Sequence, residues 1–379
     1  MDAISPAREI TAKHIAPVAS KNDKERRFNT EAMKALGEAG LFGLLVPTTQ
    51  GGLGLGPRQF ADVVSELAAA DPSVAMVFVM HVCGTACIVN APQTETTKAV
   101  LKDIVAGKHL TTLAFSEAGS RSHFWAPLSK AIKTPNGVKL DASKSWVTSA
   151  THADSYVSSA LSPDGKGPTD TTLYLVKKGS KGVSVAGTFE GLGLTGNDSA
   201  PMKLEGVEIS EDARLTPDAT GFKTMLEVVL PFFNLGSTAL AVGICRATVA
   251  ATVHHLKNAK FEHMGNVSLG EALPNLRANL ATMQNDTDGL AARLDDLIKN
   301  LETPGDLTVL RVLQAKCVAG DTAIKVTSDA MRTCGGAAFS KHTSIERYFR
   351  DAHAGAVMAP TVDVLKDFIG KALLGIPLF

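Results

Sequence analysis

The chain has 379 residues, enough for a large core and two or three packed domains. Lys+Arg and Asp+Glu both number 38, so the formal net charge is zero and nothing pulls the whole molecule toward nucleic acid or an anionic membrane. Five cysteines, an odd number scattered over the chain, do not make a disulfide framework. No His or Cys spacing completes a zinc pattern, so no metal is expected and the cysteines read as buried free thiols.

The first residues, MDAISPAREITAKHIAP, are mixed polar and charged, without the pattern of a signal peptide. The longest apolar stretches, such as 74–80, fall short of the ~20 residues a spanning helix needs. A cytoplasmic protein without membrane segments is expected.

Residues 1–109 read as helical. Asn29 is placed to cap a helix through Met33 and Leu36 that stops at Gly40. A turn-rich segment follows at 46–54. Phe60, Val63, Val64 and Leu67 then recur at helical spacing. A more apolar helix from Ser73 past Cys87 predicts burial on most sides. Cys83 and Cys87, four apart, share one face of it.

Residues 110–215 change period. Short β-prone runs at 111–115, 145–148, 172–176, 183–185 and 202–207 are separated by turn formers such as Pro135-Asn136-Gly137. That pattern predicts a small antiparallel barrel or sandwich. Residues 216–379 return to helix, with an almost wholly apolar stretch at 230–251 suited to the centre of a bundle. The predicted fold class is α+β, mainly α: an N-terminal helical domain, a central small β-barrel and a C-terminal four-helix bundle.

Five short segments, in this order, resemble the acyl-CoA dehydrogenase superfamily. They are Val46-Pro47 through Gly51-Gly52-Leu53-Gly54, Ala114-Phe115-Ser116-Glu117, Lys144-Ser145-Trp146-Val147-Thr148-Ser149, Gly191-Leu192-Gly193-Leu194 leading to Val207 and Ile209, and Gly335-Gly336 followed by Glu346 through Ala352. Each is weak alone. Their order and their secondary structure make the resemblance.

The resemblance implies a flavin, FAD, or FMN if the chain is a monooxygenase. It places the strand with Leu113, Phe115 and Ser116 along the flavin pyrimidine, Trp146 over the ring and Thr148 near N5. Strand alternation puts Trp146 and Thr148 on one face. The alternative is a core tryptophan and an ordinary strand-end serine. The resemblance further implies that Gly335 and Gly336 approach the diphosphate of a neighbouring subunit's flavin, with Arg332 in place of the usual glutamine and Thr361 on the diphosphate side. A homo-oligomer, dimer or tetramer, follows. The partners implied are a small-molecule substrate such as an acyl-CoA, and an electron-transfer flavoprotein or flavin reductase.

The family's catalytic glutamate is missing twice. Ala359 occupies one position, and Phe233 with Asn234 the other. Glu227 lies about two turns from the second. His81 and His123 are the replacement candidates, because imidazole suits acid–base work near neutral pH. The alternative for each is a hydrogen-bonded structural histidine. His152 and His353 rank below them, and Arg350 with Asp351 reads as an ion pair. Three functions stay open: an acyl-thioester dehydrogenase with a relocated base, a flavin-dependent monooxygenase, and a non-catalytic flavin- or acyl-CoA-binding paralogue.

Overall fold

Helices occupy the chain up to Val105, strands run from Thr111 to Ser210, and helices resume at Gly221. The computed structural model describes residues 2–121 and 123–379. Local chemistry explains the helix starts. Asn29 accepts the Ala32 N–H at 3.0 Å and caps the helix Thr30–Glu38. Gly40 follows with φ +76, a left-handed stop. Asp71 accepts the Ser73 N–H at 2.9 Å and starts the helix Pro72–Val89, with proline in its first turn.

Two helical stretches, Pro72–Val89 and Gly221–Asn258, are long and apolar enough to cross a membrane by composition, which the sequence expectation missed. In the fold, 89% and 78% of those apolar windows are buried inside protein. They are core helices that touch each other.

The β region has seven strands: β1 (Thr111–Ala114), β2 (Ile132–Thr134), β3 (Gly137–Val147), β4 (Ser155–Leu161), β5 (Thr171–Lys177), β6 (Val183–Val185) and β7 (Ala200–Ser210). They form two sheets, ordered β1-β4-β5 and β2-β3-β7-β6. Single bridges, Glu117↔Lys144 and Lys130↔Leu161, join the sheets. Pairing is antiparallel except between β1 and β4, where Leu113 lies opposite Val157 in parallel register. β1 and β4 are buried along almost their whole length. That suits a parallel pair enclosed on both faces.

The C-terminal region is built on the helices Leu230–Asn258, Pro274–Glu302 and Thr308–Cys334, which pack on one another. Two shorter helices, Ile345–Val357 and Val362–Leu374, lie against Thr308–Cys334. The helix Pro57–Ala70 packs on Leu230–Asn258 and ties the first domain to the bundle. Gly243 allows that approach: a Cβ there would lie 2.4 Å from the Ser65 carbonyl oxygen.

Candidate active site

Beyond the end of β1 the chain runs through Phe115 and Ser116. Leu113 and Phe115 are buried, and the Phe115 ring stacks on Phe124 with centroids 6.5 Å apart. The Ser116 carbonyl accepts the Ser145 N–H at 2.9 Å, which ties the end of β1 to the end of β3. Ser116 is half-buried, and its hydroxyl has no partner among the described residues.

Trp146 follows Ser145, and its side chain is 68% exposed. Here the alternation argument fails. The β3–β7 register shifts between Lys144 and Val147, and Trp146 has φ +56. Such a bulge rotates the residues on either side of it. Trp146 therefore faces out, while Thr148, one residue past the strand, is buried with its hydroxyl 3.2 Å from that of Ser199.

A buried ion pair braces this corner. Lys144 Nζ lies 2.6 Å from Glu117 Oε1 and donates to the Ser159 carbonyl at 2.6 Å. Glu117 also accepts the N–H groups of Leu128 and Ser129, both at 2.8 Å. Burial pushes the Glu117 carboxyl up, but Lys144 and Ser129 outweigh it and hold it below the ordinary value. The carboxylate thus pins the loop after β1 to β3.

The other expected cofactor residues lie in the bundle. Gly335 has φ +54 and ψ −132, a conformation that favours glycine. A Cβ at Gly335 or Gly336 would meet none of the described residues within 4 Å. Gly336 therefore has no packing reason among the described residues to be glycine. The exposed Arg332 guanidinium makes one long contact, 3.5 Å, to Asp329. Thr361 caps the helix Val362–Leu374, its hydroxyl accepting the Val364 N–H at 3.4 Å and keeping its own proton to donate. The structure thus groups Ser116, Trp146 and Thr148 in the β domain, and Arg332, Gly335 and Gly336 at one end of a bundle helix.

Neither glutamate position holds an acid. Ala359 is half-buried in a turn with a cis Ala359–Pro360 bond. Phe233 is buried, and Asn234 donates to the Val312 carbonyl at 3.0 Å. Glu227 is exposed and 3.8 Å from Lys223.

His81 corrects the expectation of a base. Its ring is fully buried, Nε2 is 3.1 Å from the Phe42 carbonyl oxygen, and Nδ1 accepts the Thr111 N–H at 3.2 Å. Burial pulls it down to about 3, so it stays neutral. Both nitrogens are spent on backbone, and neither is free for a substrate. His123 differs: it is exposed, and its ring stacks on Trp125 with centroids 4.9 Å apart. Its nitrogens have no partner among the described residues.

His152 lies 2.8 Å from Asp198 and stacks on Phe28, and His353 is 2.7 Å from the Phe349 carbonyl. Arg350 does not pair with Asp351. It pairs with Asp23 at 2.6 Å and Glu346 at 2.8 Å, while Asp351 accepts the Leu194 N–H at 2.6 Å.

Sequence reasoning missed Lys316, which is 1% exposed in the helix Thr308–Cys334 and lies beneath the Ala359 turn. Its signal was visible: Val312, Leu313, Gly320 and Ala323 flank it at helical spacing, so a lysine interrupts an apolar stripe.

Against this geometry, the chain matches the acyl-CoA dehydrogenase N-terminal domain over residues 3–108, the middle domain over 112–207 and the C-terminal domain over 235–361. It is 27% identical over 372 residues to the probable acyl-CoA dehydrogenase FadE25 of Mycobacterium tuberculosis, covering 98% of this chain and 94% of that one. Its fold superposes on butyryl-CoA dehydrogenase from Megasphaera elsdenii with a TM-score of 0.91 at 23% identity, covering 98% and 97% of the two chains. It superposes on FMN-bound TdsC from Paenibacillus sp. A11-2 with a TM-score of 0.89 at 21% identity, covering 100% and 99%. The helical–β–helical order and the three domain matches define the class: this chain belongs to the acyl-CoA dehydrogenase family.

Proposed function

We propose that the chain is a cytoplasmic, flavin-dependent oxidoreductase that acts on an acyl-thioester-like substrate and handles the substrate proton with His123 rather than with a carboxylate. The single observation that carries this reading is the corner where Ser116 meets Ser145. There Ser116, half-buried and with a hydroxyl that has no partner among the described residues, is bonded to Ser145, the neighbour of a tryptophan that is mostly exposed. A large exposed indole beside unpaired polar groups suits a planar, hydrogen-bonding ring.

In this reading the segment carrying Leu113, Phe115 and Ser116 lines the ring edge and Trp146 covers the ring, while Thr148, its hydroxyl against that of Ser199, supports the corner from the buried side. Arg332, Gly335, Gly336 and Thr361 serve the diphosphate, the glycine pair from a neighbouring subunit, so the enzyme is a dimer or tetramer. Bound FAD supplies a hydride acceptor. His123 takes the proton on a ring nitrogen, and Phe115, Phe124 and Trp125 keep water from one side of the loop that carries it. Electrons leave through an electron-transfer flavoprotein.

The test is anaerobic loss of visible flavin absorbance on adding an acyl-CoA, with no reductase present. His123→Ala is expected to slow that bleaching by about 100-fold. A rate equal to wild type removes His123 from the chemistry. One observation favours a second reading, a flavin-dependent monooxygenase: with Ala359, Phe233 and a locked His81, none of these positions offers a base for removing a proton next to a thioester. That reading predicts no anaerobic bleaching. It predicts a hydroxylated product only when reduced FAD or FMN from a flavin reductase is supplied with oxygen.

A further inference from the structure

The turn after the helix Ile345–Val357 has few tethers of its own. The Met358 N–H donates to Ala354 at 2.9 Å, and the Thr361 carbonyl accepts the Leu365 N–H at 2.9 Å. Among the described residues, one side chain holds the backbone around this turn. Lys316 Nζ donates to the carbonyls of Gly355 at 3.3 Å, Met358 at 3.0 Å and Pro360 at 2.7 Å. An ammonium has three protons, so these three carbonyls take its whole donor capacity. They come from a helix end and the residues after it, where carbonyls lack helical partners and favour a cation.

Two further features single this lysine out. Nζ lies 5.8 Å from the centre of the Phe233 ring, so both positions where the family resemblance expects a glutamate flank one ammonium. Gly320, one turn along the helix, allows the close approach: a Cβ there would lie 2.7 Å from the Val362 side chain and 3.4 Å from Ala356 Cα. Burial without a carboxylate partner pulls the amine down to about 7, an electrostatic cost that an aliphatic side chain would avoid. The compensation is three backbone oxygens, that of Pro360 buried and those of Gly355 and Met358 partly so, which the lysine supplies with a donor.

We infer that Lys316 is a positioning residue. Its bonds to both neighbours of Ala359 fix the direction in which position 359 faces the reacting group, and they place the Thr361 hydroxyl. The inference rests on the acyl-thioester reading and on the resemblance, which puts the family's glutamate at position 359.

Two measurements on the flavin-loaded protein test it. The first is hydrogen exchange of peptides spanning 354–362. Lys316→Met is expected to speed exchange there by about 10-fold or more and to leave β3 peptides unchanged. Unchanged exchange over 354–362 overturns the inference. If Lys316→Met does not fold, Lys316→Gln, which keeps an amide donor, takes its place.

The second measurement installs a base with Ala359→Glu in a His123→Ala background, so that proton transfer through His123 does not mask the new carboxylate. The new carboxylate takes the proton next to the thioester, hydride leaves the adjacent carbon for flavin, and butyryl-CoA becomes the enoyl-CoA as the flavin is reduced. Adding Lys316→Met to Ala359→Glu is expected to slow anaerobic bleaching by about 10-fold or more at equal bound flavin, because a base works only when it is held in place. Equal rates overturn the inference. If Ala359→Glu bleaches with neither lysine nor methionine at 316, the acyl-thioester reading of the site falls, and the exchange experiment decides Lys316 on its own.

Discussion

Lys144 in the β domain and Lys316 in the bundle are both almost wholly buried, but they meet different partners. Lys144 faces a carboxylate, Glu117, which is itself held by two backbone N–H groups and a serine. Among the described residues, Lys316 hydrogen-bonds to backbone carbonyls alone, with the Phe233 ring alongside. An ion pair fixes two side chains to each other and so locks two pieces of chain together. An ammonium among carbonyls instead fixes the path of a backbone. The β corner uses the first device to hold a loop against a strand. The bundle uses the second to shape a turn.

The largest expected effect breaks the first device. Glu117→Gln or Lys144→Met strands one buried charge, and each is expected to cost about 3–5 kcal/mol in urea unfolding. The double variant Glu117→Gln/Lys144→Met should cost less than the sum. Additive costs would mean that the pair acts as two independent groups.

Lys316→Met strands no charge. It leaves carbonyls unpaired, and a global cost of about 1–3 kcal/mol is expected, smaller than for Lys144. A cost equal to that of Lys144→Met would erase the contrast between the two lysines.

Asp351 extends the comparison to a carboxylate, because it too is bonded to backbone, through the Leu194 N–H. Burial pushes it up to about 7 from an ordinary 3.8, against the pull of the Leu194 N–H and Arg347. A raised folded value means that the native state prefers the neutral acid. Wild-type stability is therefore expected to fall as pH rises from about 4 to about 7, by at most about 1.4 kcal/mol per unit. Asp351→Asn should lack this slope, so its stability relative to wild type should grow across that window and level off above it. Parallel urea midpoints from pH 4 to pH 7 would show that Asp351 ionises freely.

Much of the fold was legible because periodicity changes at the right places, and because Asn29, Gly40 and proline mark local boundaries. β4 escaped because it contains Ser155, Ser158 and Ser159, poor strand formers that are nonetheless fully buried between β1 and β5. The placement of Trp146 and Thr148 failed for a different reason: a bulge defeats any argument from strand alternation. His81 looked available because its partners, Phe42 and Thr111, lie 39 and 30 residues away and leave no trace in the local sequence. Lys316 was legible as a charge on an apolar stripe, but its purpose appears only with the carbonyls above it.

The two tryptophans sit in opposite surroundings. Trp125 is 7% exposed and wrapped by Phe124, Phe368 and Phe379, whereas Trp146 stands largely in water. The intrinsic fluorescence of the chain is therefore expected to have two separable components, a blue one from a shielded indole and a red one that small quenchers reach. A planar ligand seated on Trp146 should remove the red component alone. Movement of the segment ending in Phe379 should change only the blue one.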